Sequence, residues 1–122
     1  MKLPIIIADG LDVEFLYSVA DAEIEMEPID VREGLFTVFD ADGQKLNPVP
    51  KTHKSFLTSY ESIEIQETGE DHSHQLTELL SEFYEYLGLN PEILKTMELA
   101  QLIEIGKLFF FKNFRKYHPR QD

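Results

Sequence analysis

Hydrophobic and polar positions alternate with a period of two in the first half of the chain and with a helical period in the second. Leu3, Ile5, Ile6 and Ile7 form an aliphatic run closed by the turn pair Asp9-Gly10, after which Leu11, Val13 and Phe15 alternate with Asp12, Glu14 and Leu16. Two such runs joined by Asp-Gly predict a hairpin. Leu35 to Phe39 is β-prone, and Ala41-Asp42-Gly43 then turns the chain toward Lys45 and Leu46, predicting a second hairpin. Asn47 to Ser55 holds Pro48 and Pro50, which disfavour a central strand, so it reads as an exposed connection. Tyr60 to Thr68 alternates again, placing Ile63 and Ile65 toward a core, with a break expected at Gly69-Glu70-Asp71.

Helices carry their own signals. Ser18 stands three residues before Asp21, a near relative of the capping box, and predicts a helix of about two turns that Pro28 stops. From His72 to Leu87 the apolar residues Leu76, Leu79, Leu80, Phe83, Tyr84 and Leu87 share one helical face, and Gly88 follows as a C-cap. Asn90-Pro91 starts a further helix, and a shift of the apolar stripe predicts a bend between Thr96 and Glu98. Beyond it one stripe holds Leu99, Leu102, Ile103, Gly106, Phe109, Phe110 and Tyr117. A second holds Ala100, Ile105, Leu108, Phe111 and Phe114. One core cannot cover both, so the helix is either central or covered by another copy through Leu108, Phe111 and Phe114.

These elements predict one α+β domain over residues 1–122: a mostly antiparallel sheet with a β-α-β-β unit across Leu11 to Leu46, covered by the C-terminal helices. With 43% apolar and 28% charged residues the composition is that of an ordinary globular domain, and no Pro, Gly or Ser tract divides it. The absence of cysteine excludes a disulfide framework, a thiolate zinc site and a cysteine nucleophile. Neither a signal-peptide core nor a membrane-length apolar run occurs, and the expectation is a cytoplasmic protein without membrane attachment.

Charge sharpens the picture. The net charge is −12, and it is divided: residues 1–106 hold six Lys/Arg against 22 Asp/Glu, whereas residues 107–122 hold five Lys/Arg and one acid. An acidic body repels nucleic-acid phosphates and steers basic proteins toward itself. Its densest part is the strip Asp21, Glu23, Glu25, Glu27, Asp30 and Glu33, the expected partner-binding face.

Candidate catalytic and metal chemistry is sparse. If Gly43 of Asp40-Ala41-Asp42-Gly43 took the glycine position of an EF-hand loop, the first and last ligand positions would fall on Val38 and Val49, so the stretch reads as an acidic turn. Glu70-Asp71-His72-Ser73-His74 gathers metal-competent side chains, and a small metal-dependent hydrolase using His72 and His74 is the enzymatic alternative. Histidines two apart do not share a helical face, however, and the bland reading is a polar helix entry. No catalytic residue, metal or cofactor is assigned. Lys107 to Tyr117 mixes bases and aromatics as an interfacial helix or a base-stacking surface would, but the acidic body opposes both, leaving core filling or a dimer interface.

Glu27-Pro28-Ile29-Asp30-Val31, then Gly34, then Val38 to Leu46 resemble a pattern found in small bacterial proteins of unknown function, some of them similar to immunity proteins of polymorphic toxin systems. The likeness covers residues 11–46 and carries no functional residues. It implies a non-catalytic acidic inhibitor of a basic protein partner.

Overall fold

The computed structural model describes residues 1–10 and 12–117, with side chains described through Leu108. Five antiparallel strands form one sheet: β1 (Ile5–Asp9), β2 (Asp12–Leu16), β3 (Thr37–Phe39), β4 (Gln44–Lys54) and β5 (Ser59–Asp71), in the order β2-β1-β3-β4-β5. Helices α1 (Val19–Glu25) and α2 (Pro28–Arg32) lie between β2 and β3. Helices α3 (Ser73–Tyr86), α4 (Pro91–Leu94) and α5 (Leu99–Tyr117) follow the sheet. The α+β class and the antiparallel sheet are therefore as the sequence predicts.

The β2-β1-β3 part of the sheet is buried on both faces, whereas β4 and β5 contribute buried side chains to one face only. Ile6, Ala8, Val13, Phe15 and Phe39 pack with Leu76, Leu80, Phe83, Tyr84, Leu94, Leu102 and Ile103 of α3 to α5. On the opposite face Ile5, Ile7, Leu16, Val38, Leu46, Ile63 and Ile65 pack with Ala22 and Met26. Alternate side chains of a strand point to opposite faces, so β1 is apolar from Ile5 to Ala8 because it serves both cores. Leu16, which the alternation assigned with Asp12 and Glu14 to the polar side, is buried under α1 and α2.

Ser18 caps α1 by accepting from the Asp21 N–H at 3.0 Å. Pro28 ends that helix and also opens the next, since a proline at the first helical position lacks only an N–H that would have no intrahelical acceptor. The predicted β-α-β-β unit thus contains a second short helix. Asn90 caps α4, and the break expected between Thr96 and Glu98 falls between α4 and α5.

Two expectations are corrected. Residues 47–54 are not an exposed connection but most of β4, paired with β5 from Asn47↔Gln66 to Lys54↔Ser59. Pro48 faces Ile65 and Pro50 faces Ile63, two residues apart, so both ring nitrogens turn away from β5. On that other side, pairing with β3 reaches only Lys45 and Leu46. The prolines occupy what is effectively an edge, where no donor is required. Gly69 to Asp71 likewise does not end β5. The register slips between Gln44↔Asp71 and Leu46↔Glu67, so Thr68 to Glu70 bulge opposite Lys45 and the strand continues to Asp71.

A candidate partner-binding face

The acidic strip divides when folded. On a helix, residues 21 and 25 project to one side and 23 to the other. Asp21 is exposed at the first turn of α1. Glu23 turns inward, and its Oε2 accepts the Ile65 N–H at 2.8 Å. That N–H belongs to the outer edge of β5, so Glu23 caps a sheet edge. Glu25 is half-buried, Glu27 is the exposed N-cap residue of α2, Asp30 lies half-buried in its first turn and Glu33 is its exposed C-cap.

Beside this strip lies a groove of about 450 Å³ between α1, the α1–α2 junction and β5. Met26, Pro28 and Ile63 give it apolar walls, while Glu23, Glu27 and Glu61 supply carboxylates. Glu61 also pairs with Arg32 across the α2–β5 gap. Ile24, at the lip, is 81% exposed, and Ile29 is exposed on α2. Sequence reading missed three of these residues. Glu61 comes to the groove through the packing of α1 and α2 against β5, which no local pattern shows. Ile24 and Ile29 were legible, since Ile24 sits about 200° around α1 from Ala22 and cannot share its core.

The histidine cluster is spread. The His72 ring contacts Gln75 Oε1 at 2.9 Å and Glu70 Oε1 at 3.2 Å, and these acceptors, Gln75 first, raise its pKa. His74 points elsewhere, toward Glu78 at 3.0 Å. Among the described residues, no three His, Asp or Glu side chains are grouped to hold a metal ion. Nor, among them, is any helix long and apolar enough to cross a membrane.

The most elaborate polar site is Asp40, in the turn of the β3–β4 hairpin. It is 2% exposed and accepts from the Asp42 N–H at 3.0 Å, the Gln44 N–H at 2.9 Å, the Gln44 side-chain amide at 2.9 Å and the Lys2 N–H at 3.3 Å. Desolvation pushes its pKa up, but these donors together outweigh it and hold the carboxyl below its ordinary value. The acidic-turn reading of Asp40 to Gly43 is therefore correct, and Asp40 is the structural centre of that turn.

Of the residues expected to mediate self-association, Leu108 is 74% exposed. Phe111 and Phe114 belong to α5, but their side chains lie outside those described. No protein-family model matches the chain, and neither a curated protein nor a solved structure matches it.

Proposed function

We propose that the chain is a non-catalytic binding protein whose α1–α2 face, with the adjoining groove, captures a basic protein partner, in the manner of the immunity proteins that residues 11–46 resemble. The observation that carries this reading is the combination of apolar walls and carboxylates in one open groove. Carboxylates alone would attract any cation weakly. Exposed Ile24 and Ile29 beside them add apolar area that a partner can bury, which supplies affinity, while the charges supply attraction over distance and selectivity against acidic proteins.

The test is affinity capture from extract of the native host, with the tagged chain compared against a Glu27→Lys, Glu33→Lys double variant. Both positions are exposed. The expected result is a basic protein retained by the unaltered chain at low salt and lost on charge reversal. Salt at about 0.5 M should weaken the same complex, because the screening length then falls well below 10 Å. Equal retention of the same proteins by both chains would refute a role for this face.

A further inference from the structure

Strand β4 and the tip of the β4–β5 hairpin differ in charge from the rest of the chain, whereas β5 beyond Tyr60 carries five acids. Residues 43–60 contain no acid and three lysines, Lys45, Lys51 and Lys54, together with His53. Its turn, Ser55 to Thr58, is closed by the Ser55 N–H donating to the Thr58 carbonyl at 2.8 Å and by the two hydroxyls at 2.7 Å. That closure presents Phe56 at 98% and Leu57 at 84% exposure. His53 and Tyr60 stack just below, with ring centroids 4.8 Å apart, and stiffen the tip. A closed turn holding two large apolar side chains in water, with Lys51 and Lys54 on its β4 side, has the composition of an interface core with a basic flank.

The groove beside β5 has the complementary composition: apolar walls with Glu23, Glu27 and Glu61. Tip and groove cannot meet within one chain. The groove is lined by Glu61, Ser62 and Ile63 of the strand that begins just after the tip, and an extended strand separates its residues by about 3.3 Å each. They can meet between two chains, and reciprocally, because every copy offers one tip and one groove.

We propose that the chain forms a two-fold symmetric homodimer in which the Phe56-Leu57 tip of each copy seats in the groove of the other, with Lys54 near the groove carboxylates. Such an isologous contact closes at two copies and buries both exposed apolar surfaces. The tip and a basic partner would compete for the same groove, but the dimer needs no second protein and is tested on the chain alone. Asp21 and Glu33 lie outside the groove lining.

Sedimentation velocity on the full chain at 5–100 μM is the test, with concentrations set around the micromolar range where modest interfaces associate. The expected result is a monomer–dimer equilibrium that Phe56→Ser, Leu57→Ser weakens by at least about tenfold, as loss of a central apolar anchor does. Both positions are exposed, and an unchanged melting temperature would show that the variant folds. A charge swap supplies the second arm. Lys54→Glu and Glu61→Lys chains should each dimerise poorly alone and recover when mixed, since only the mixed pair restores opposite charge at both contacts. A chain that stays monomeric at 100 μM, or a dimer indifferent to the tip variant, would overturn the proposal. So would monomers that float with phosphatidylcholine–phosphatidylserine vesicles through Phe56 and Leu57, which would assign the tip to lipid.

Discussion

Asp40 shows what one buried carboxylate does when its acceptor capacity is filled. Its donors come from the N-terminal segment, the turn and the start of β4, so a single side chain fastens three pieces of backbone. Asp40→Ala leaves those donors without their acceptor and should cost about 3 kcal/mol in denaturant unfolding. The pH dependence follows from the direction of its shift. A carboxyl with a depressed folded pKa stabilises the fold above its ordinary value, here 3.8, and that contribution is lost as pH falls through the folded pKa. Thermal melts of Asp40→Asn should accordingly fall less steeply below about pH 4 than those of the unaltered chain. Some acid sensitivity will remain, because Glu67, through the N-terminal amine and then Gln44, and Asp71, through Ser73, are depressed as well.

At the scale of elements, two contacts join pieces that the sequence keeps apart. Gly43 has φ of +87° and lies against the first residue of α3, where a Cβ would run into the Cα of Ser73. Its carbonyl accepts the His72 N–H at 2.7 Å, so the β3–β4 turn and the entry to α3 are one structure. Gly43→Ala combines an unfavourable backbone conformation with a backbone overlap and should destabilise by roughly 3 kcal/mol, measured by the denaturant midpoint at constant slope. Glu23 joins α1 to the edge of β5. Glu23→Ala should raise the exchange rate of the Ile65 amide by about tenfold, the equivalent of about 1.4 kcal/mol, while leaving amides of β1 little changed. Equal acceleration across both strands would mean that Glu23 supports the whole fold rather than the edge.

At the scale of the molecule, the sequence showed most where local chemistry decides structure. Ser18, Asn90 and Gly88 mark helix ends by capping and backbone freedom, and Val13, Phe15, Ile63 and Ile65 mark strand faces by alternation. It misled where tertiary context overrides local preference. Pro48 and Pro50 are compatible with β4 only because β3 is three residues long, and Gly69 is compatible with β5 only because a bulge absorbs it. The acids of the candidate site were legible as a strip. Their division was not, since the inward turn of Glu23 and the arrival of Glu61 depend on where β5 lies against α1 and α2.

The charge pattern of the folded molecule, a carboxylate-bearing groove on an acidic body, is the ground for a basic partner. It is tested most directly by amide chemical-shift mapping on the Phe56→Ser, Leu57→Ser chain, whose groove is free of a second copy's tip, while a short amphipathic Lys/Leu peptide is titrated at low and high salt. Perturbations should concentrate on Ala20 to Glu33 and Glu61 to Ile63, be abolished by Glu27→Lys, Glu33→Lys and be reduced by salt. Perturbations scattered over all acidic residues, or centred on α3 or α5 instead, would contradict it.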